Sequence, residues 1–119
     1  MSIIFSEKER VFHLNTPNSS YLIGLVDELG FLGHVYYGRK VRDNSLHQLL
    51  RLSDVPFKDN SGQTAFLDEL PTEYPGHGLG DFRESCLQVE TEEGYRACGL
   101  TYRSHKIYPG KPGLPGLPA

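Results

Sequence analysis

Residues 73–83, Glu-Tyr-Pro-Gly-His-Gly-Leu-Gly-Asp-Phe-Arg, constrain the fold of this chain more than any other stretch. Pro75 disfavours the helical region for Tyr74. Gly76, Gly78 and Gly80 fall at alternate positions and admit backbone angles that residues with a β-carbon avoid. A helix does not run through such a stretch, which reads instead as a shaped corner between β elements. Asp81 and Arg83 lie two apart, so in extended backbone they share a face and can pair. That pair is expected to be structural, fixing the turn-in of the chain.

The rest of the sequence agrees with a β protein. Residues 11–14 (Val-Phe-His-Leu) predict a short strand after the polar stretch 6–10. Residues 20–26 and 31–37 are rich in β-formers and flank Asp27-Glu28-Leu29-Gly30, which predicts a hairpin. Leu46, Leu49 and Leu50 recur at helical spacing, so at most a short helical turn is expected over 45–51. Residues 52–62 carry Pro56, Asp59, Asn60 and Gly62 and read as an exposed loop. Phe66, Leu67 and Leu70 are expected to return the chain to the core. Further strands are expected at 85–91 and 96–103, about Glu92-Glu93-Gly94. Leu87 and Val89, then Cys98, Leu100 and Tyr102, alternate there. A last short strand is expected at 105–108. The expected architecture is all-β, a partial sandwich of antiparallel strands and hairpins.

Bulk properties narrow the function classes. The chain has 119 residues, enough for one domain. Its 13 glycines and 8 prolines against 38% hydrophobic residues suit a turn-rich β fold. A net charge of -3 offers no electrostatic case for nucleic acid or for an anionic membrane, neither of which is expected as a partner. No apolar run approaches the roughly 20 residues that span a bilayer. Residues 1–10 lack the apolar stretch of a signal peptide, so a cytoplasmic location is expected. Cys86 and Cys98 fit that compartment as small buried hydrophobes, in preference to a disulfide across a hairpin.

Local spacing yields no catalytic constellation. His13, His34, His47, His77 and His105 form no pair at metal-ligand spacing, so no metal is expected. The alternating glycines lack the Lys-Ser/Thr step of a phosphate loop, and Asp81 and Glu84 would repel phosphate. No cofactor is expected. No serine has the strand-turn-helix setting of a nucleophile elbow. Asp54 and Asp59 read as solvated loop charges. The seven tyrosines and six phenylalanines suggest a sugar-stacking platform, but a sandwich of this size needs most of those rings in its core. Gly110-Lys111-Pro112, Gly113-Leu114-Pro115 and Gly116-Leu117-Pro118 have collagen-like composition. Three triplets are too short for a triple helix, and they read as a connector.

Several separated motifs carry a family resemblance. They are Phe12-His13-Leu14, Ser20-Tyr21, Leu32-Gly33-His34-Val35-Tyr36-Tyr37-Gly38, the 73–83 corner, Tyr102-Arg103-Ser104-His105-Lys106-Ile107-Tyr108 and the closing Gly-Lys-Pro and Gly-Leu-Pro-Ala. Taken in order, they resemble the N-terminal region of bacterial α-galactosidases of glycoside hydrolase family 36, over the whole chain. The resemblance implies that residues 1–119 are the first part of a large β-sandwich domain, ahead of a (β/α)8 barrel that this chain lacks. It implies a retaining enzyme whose two barrel aspartates stand about 5–5.5 Å apart, neither of them here. It further implies an α-galactoside such as melibiose or raffinose as the full enzyme's substrate, and a homo-oligomer. In such oligomers a loop of this region reaches the sugar with an aspartate after an Arg-Leu pair. Here Arg51-Leu52 is followed by Ser53 and then Asp54, so the match is displaced by one residue. Asp54 is the candidate sugar contact, with Ser53 the alternative. This chain is thus expected to be a scaffold, a subunit contact and one wall of the sugar pocket, inactive alone. The alternative is a free-standing carbohydrate-binding module.

Overall fold

A computed structural model of the chain describes residues 2–26, 30–42, 46–50, 67, 69–78, 80–110 and 113–116. Four strands, β1 (Ser2–Ser6), β2 (Val11–Asn15), β3 (Ser19–Val26) and β4 (Phe31–Arg39), form one antiparallel sheet in the order β1-β2-β3-β4. The β3–β4 hairpin is the one that the β-former runs predict. One turn of 3-10 helix, Leu46–Leu49, stands where the leucine spacing predicts a helical turn. The fold is all-β and antiparallel, as the sequence indicates.

Strand periodicity explains which face is buried. Val11, His13 and Asn15 of β2, Ser20, Leu22 and Val26 of β3, and Phe31 and Val35 of β4 all point to the covered side. Leu22 pairs with Tyr36 but Ile23 pairs with His34, which makes Val35 the extra residue of a β-bulge. Two core clusters lie on this face. Val11, Leu22, Val35 and Leu46 form one, and Val26, Phe31, Leu67 and Leu70 the other. Leu50 packs against both and joins them. Each fully buried leucine contributes about 1.5–3 kcal/mol relative to exposure.

Two expectations need correction. The sequence predicts no strand over residues 2–6, yet all five pair with β2. A five-residue run signals little on its own and is stabilised by its neighbour, with the Phe5 and Phe12 rings 4.4 Å apart. The tight return through residues 7–10 places Arg10 at φ 53, where its carbonyl accepts from Leu25 N at 2.8 Å.

The second correction concerns the strands expected at 85–91, 96–103 and 105–108, which do not form. Their backbone meets the rest of the described structure only at isolated points. Cys86 N donates to Pro75 O at 3.0 Å, Cys98 N to His77 O at 2.8 Å and Tyr102 N to Gly30 O at 2.8 Å. An alternating pattern makes an amphipathic extended segment, but a strand also needs a neighbour along its length. Leu87, Leu100, Ile107 and Tyr108 accordingly remain exposed. Cys86 is likewise exposed rather than buried, Cys98 is half-buried, and both are free thiols.

Candidate functional site

Residues 76–83 form a tight corner. Gly78 and Asp81 exchange both backbone hydrogen bonds at 3.0 Å, with Gly78 at φ 90 and Gly80 at φ 87. Gly76 is required for packing, because a β-carbon there would stand 2.0 Å from the carbonyl oxygen of Cys98. The turn delivers Asp81 into the interior, only 2% exposed.

Arg83 meets Asp81 there with a two-point grip. Its Nε donates to Asp81 Oδ1 at 2.8 Å and its Nη2 to Oδ2 at 3.0 Å. The same guanidinium reaches across to the preceding chain. Nη1 donates to Leu70 O at 2.6 Å and Nη2 to Leu67 O. The Arg83 side-chain hydrogen bonds hold the Asp81 carboxyl below the usual carboxylate range. Burial opposes this shift, and the backbone hydrogen bond and charge of Arg83 reinforce it.

A second polar cluster lies on the opposite side of the sheet. Residues 71–73 run along the edge of β4, where His34 N donates to Pro71 O at 2.6 Å and Glu73 N to Leu32 O at 2.8 Å. Glu73 is thereby placed over β3 and β4. The Tyr21 hydroxyl donates to Glu73 Oε2, and His34 Nδ1 donates to Oε1 at 2.8 Å. Burial, followed by the hydrogen bond and the charge of Glu73, pushes the Tyr21 phenol up to about 12. Tyr37 stands edge-on to Tyr21 at 5.8 Å. Sequence spacing misses this cluster because its members are 52 and 39 residues apart. The only signal is that all three belong to the motifs carrying the family resemblance.

In both clusters the carboxylate is engaged by neighbouring side chains. Each oxygen of Glu73 and of Asp81 already accepts a hydrogen bond. On the covered face, His13 Nε2 and Ser20 Oγ lie 2.7 Å apart, and Ser20 Oγ accepts from Val41 N at 3.1 Å. Among the described residues no three His, Cys, Asp or Glu side chains converge as a metal ion would need. Nor, among them, is any helix long and apolar enough to cross a membrane. The candidate sugar contacts Ser53 and Asp54 lie outside the described residues, as does Phe66. The structure brings Asp81 and Arg83 together.

The fold as a whole is similar to portions of solved carbohydrate-cleaving enzymes. The chain aligns with a crystal structure of the GH36 α-galactosidase AgaB from Geobacillus stearothermophilus at a TM-score of 0.81 and 41% identity. The match covers 100% of this chain and 16% of that one. It aligns with the galactosidase domain of the α-galactosidase-sucrose kinase AgaSK at a TM-score of 0.83 and 36% identity, over 99% of this chain and 17% of that one. In sequence it is 41% identical to α-galactosidase AgaA of Geobacillus stearothermophilus over 100% of this chain and 17% of the relative. Residues 30–119 match the glycosyl hydrolase family 36 N-terminal domain. The chain belongs to that family. It spans only about a sixth of the length of AgaA.

Proposed function

We propose that this chain is the non-catalytic N-terminal part of an α-galactosidase that releases terminal α-galactosyl residues from galactosides such as raffinose or melibiose. The observation that carries this reading is the whole-chain match to α-galactosidases at 41% identity with a TM-score of 0.81. One relative, AgaA, has been crystallised with raffinose, as a variant. The chain's roles are scaffold, subunit contact in a homo-oligomer, and one wall of the sugar pocket.

The scaffold role has physical support. Phe82 is 82% exposed, and Leu87, Leu100, Ile107, Tyr108 and Leu114 are exposed as well. So many exposed apolar side chains suit a surface that another part of an enzyme covers. They suit a free-standing carbohydrate-binding module poorly. The Asp81–Arg83 pair, whose carboxylate and guanidinium hold each other, serves this scaffold as a structural corner rather than as an acid–base couple. A cytoplasmic location is part of the same proposal.

The sugar-wall role falls to Asp54, with Ser53 beside it. A carboxylate accepts two hydrogen bonds from vicinal sugar hydroxyls, which suits a galactoside. The test is a Ser53→Ala, Asp54→Ala double substitution in the protein made from the complete reading frame. It is expected to raise KM for p-nitrophenyl α-galactoside about tenfold, consistent with the loss of one or two charge-assisted hydrogen bonds. An unchanged KM would remove the sugar contact from this chain.

A further inference from the structure

Residues 84–98 fold back on the glycine corner, and the fold-back leaves a groove. Two backbone hydrogen bonds fix it, from Cys86 N to Pro75 O at 3.0 Å and from Cys98 N to His77 O at 2.8 Å. Between them the chain turns at 91–95. Thr91 N donates to Tyr95 O at 3.0 Å, Gly94 N to Thr91 O at 2.9 Å and Tyr95 N to Thr91 Oγ1 at 3.1 Å, with Gly94 at φ 84. That turn brings Glu90 and Arg96 opposite one another. The resulting cavity holds about 460 Å³, within the range of roughly 300–1,000 Å³ that small-molecule sites occupy. Leu87 and Val89 supply its apolar lining, and His77 lines it from the corner. Its other hydrogen-bonding groups come from Ser85, Gln88, Glu90 and Arg96.

Glu90 and Arg96 meet in a way that leaves half of each side chain unspent. Arg96 donates from Nε at 2.9 Å and from Nη2 at 2.7 Å, both to Glu90 Oε2. A parallel fork would have engaged both carboxylate oxygens. Here, among the described residues, Glu90 Oε1 accepts no hydrogen bond and Arg96 Nη1 donates none. An unspent acceptor thus stands beside an unspent donor. We propose that this groove binds a neutral saccharide through a vicinal diol. One hydroxyl donates to Glu90 Oε1 and its neighbour accepts from Arg96 Nη1, while Ser85 and Gln88 take further hydroxyls. The C–H surface of the sugar ring lies on Leu87 and Val89. Charge argues against the other ligand classes. Residues 84–98 hold four glutamates against one arginine, and that arginine is already paired, so an anion meets net repulsion. A metal ion finds no three converging ligands among the described residues. These groove residues are other than Ser53 and Asp54, and the inference stands whether or not those two touch sugar.

Sucrose is the probe for the test, a neutral saccharide that carries vicinal diols and no α-galactosyl end. Saturation-transfer NMR on the protein from the complete reading frame measures its binding, beside Glu90→Ala, Arg96→Ala and Gln88→Ala. The Glu90 and Arg96 side chains are 56% and 72% exposed, so neither substitution is expected to lower the unfolding temperature appreciably. No aromatic ring lines the groove, and the expected Kd for sucrose is on the order of 1 mM. Glu90→Ala and Arg96→Ala are each expected to weaken binding about tenfold or more, as loss of a hydrogen bond to a charged group does. Gln88→Ala, which removes a neutral partner, is expected to weaken it about threefold. Galactose is expected to compete with sucrose, and galacturonate, its anionic counterpart, is not. No sucrose binding at concentrations on the order of 10 mM, or binding that Glu90→Ala and Arg96→Ala both leave unchanged, would overturn the proposal. Galacturonate competing as well as galactose would overturn the assignment of a neutral ligand. Hydrolysis of p-nitrophenyl α-galactoside is read separately on the same protein. Its absence would end the enzyme reading and leave the groove standing, whereas hydrolysis without sucrose binding would remove the groove alone.

Discussion

Asp81 and Tyr21 give the molecule opposite dependences on pH. The Asp81 carboxyl is held below its ordinary value chiefly by the Arg83 side-chain hydrogen bonds. Its contribution is therefore complete above the unfolded value of about 3.9 and is lost as pH falls below that through the folded value. Tyr21 is raised to about 12 by burial and by Glu73. Its contribution is complete below the unfolded value of about 10 and is lost as pH rises from there towards the folded value. Urea denaturation against pH is expected to show stability falling at both ends. Asp81→Asn should flatten the acid limb and Tyr21→Phe the alkaline limb, each leaving the other in place. At this scale the sequence is half legible. Asp81 and Arg83 are two apart, and strand period alone puts them together. Tyr21, His34 and Glu73 meet only because residues 71–73 dock on β4, which no local spacing encodes.

Among the elements, the β3–β4 hairpin is readable because its β-former runs flank a turn and pair along their length. β1 is not, because five residues carry too little pattern without their partner β2. The strands expected beyond residue 84 show the opposite failure, since alternation marks a strand face but cannot supply the neighbouring strand. That segment is held to the sheet by the Tyr102 and His105 rings against Phe5 and Phe12 and by close backbone packing at the corner. Gly76 has the Cys98 carbonyl where a β-carbon would go, whereas Gly94 at φ 84 has open space around it. Gly76→Ala is thus expected to cost about 2 kcal/mol or more through overpacking. Gly94→Ala should cost about 1 kcal/mol, from backbone conformation alone. Thermal unfolding of the two variants side by side measures the difference, and equal losses would contradict packing as the cause.

For the whole molecule, the motifs in order carry the family assignment, while the distribution of exposed apolar surface is not legible. Leu87 and Leu100 alternate with their neighbours as one face of a strand would, yet both stand exposed. The α-galactosidases it resembles are about six times longer by the fraction matched, 16% and 17%. On the proposed reading this part is scaffold, and catalysis resides elsewhere in the enzyme. Galactose release from p-nitrophenyl α-galactoside is the deciding measurement, comparing the purified 119-residue chain with the protein from the complete reading frame at equal molar concentration. Hydrolysis by the complete protein is expected, with none above buffer by the 119-residue chain. Turnover by the 119-residue chain alone, or none by the complete protein, would contradict that division of labour.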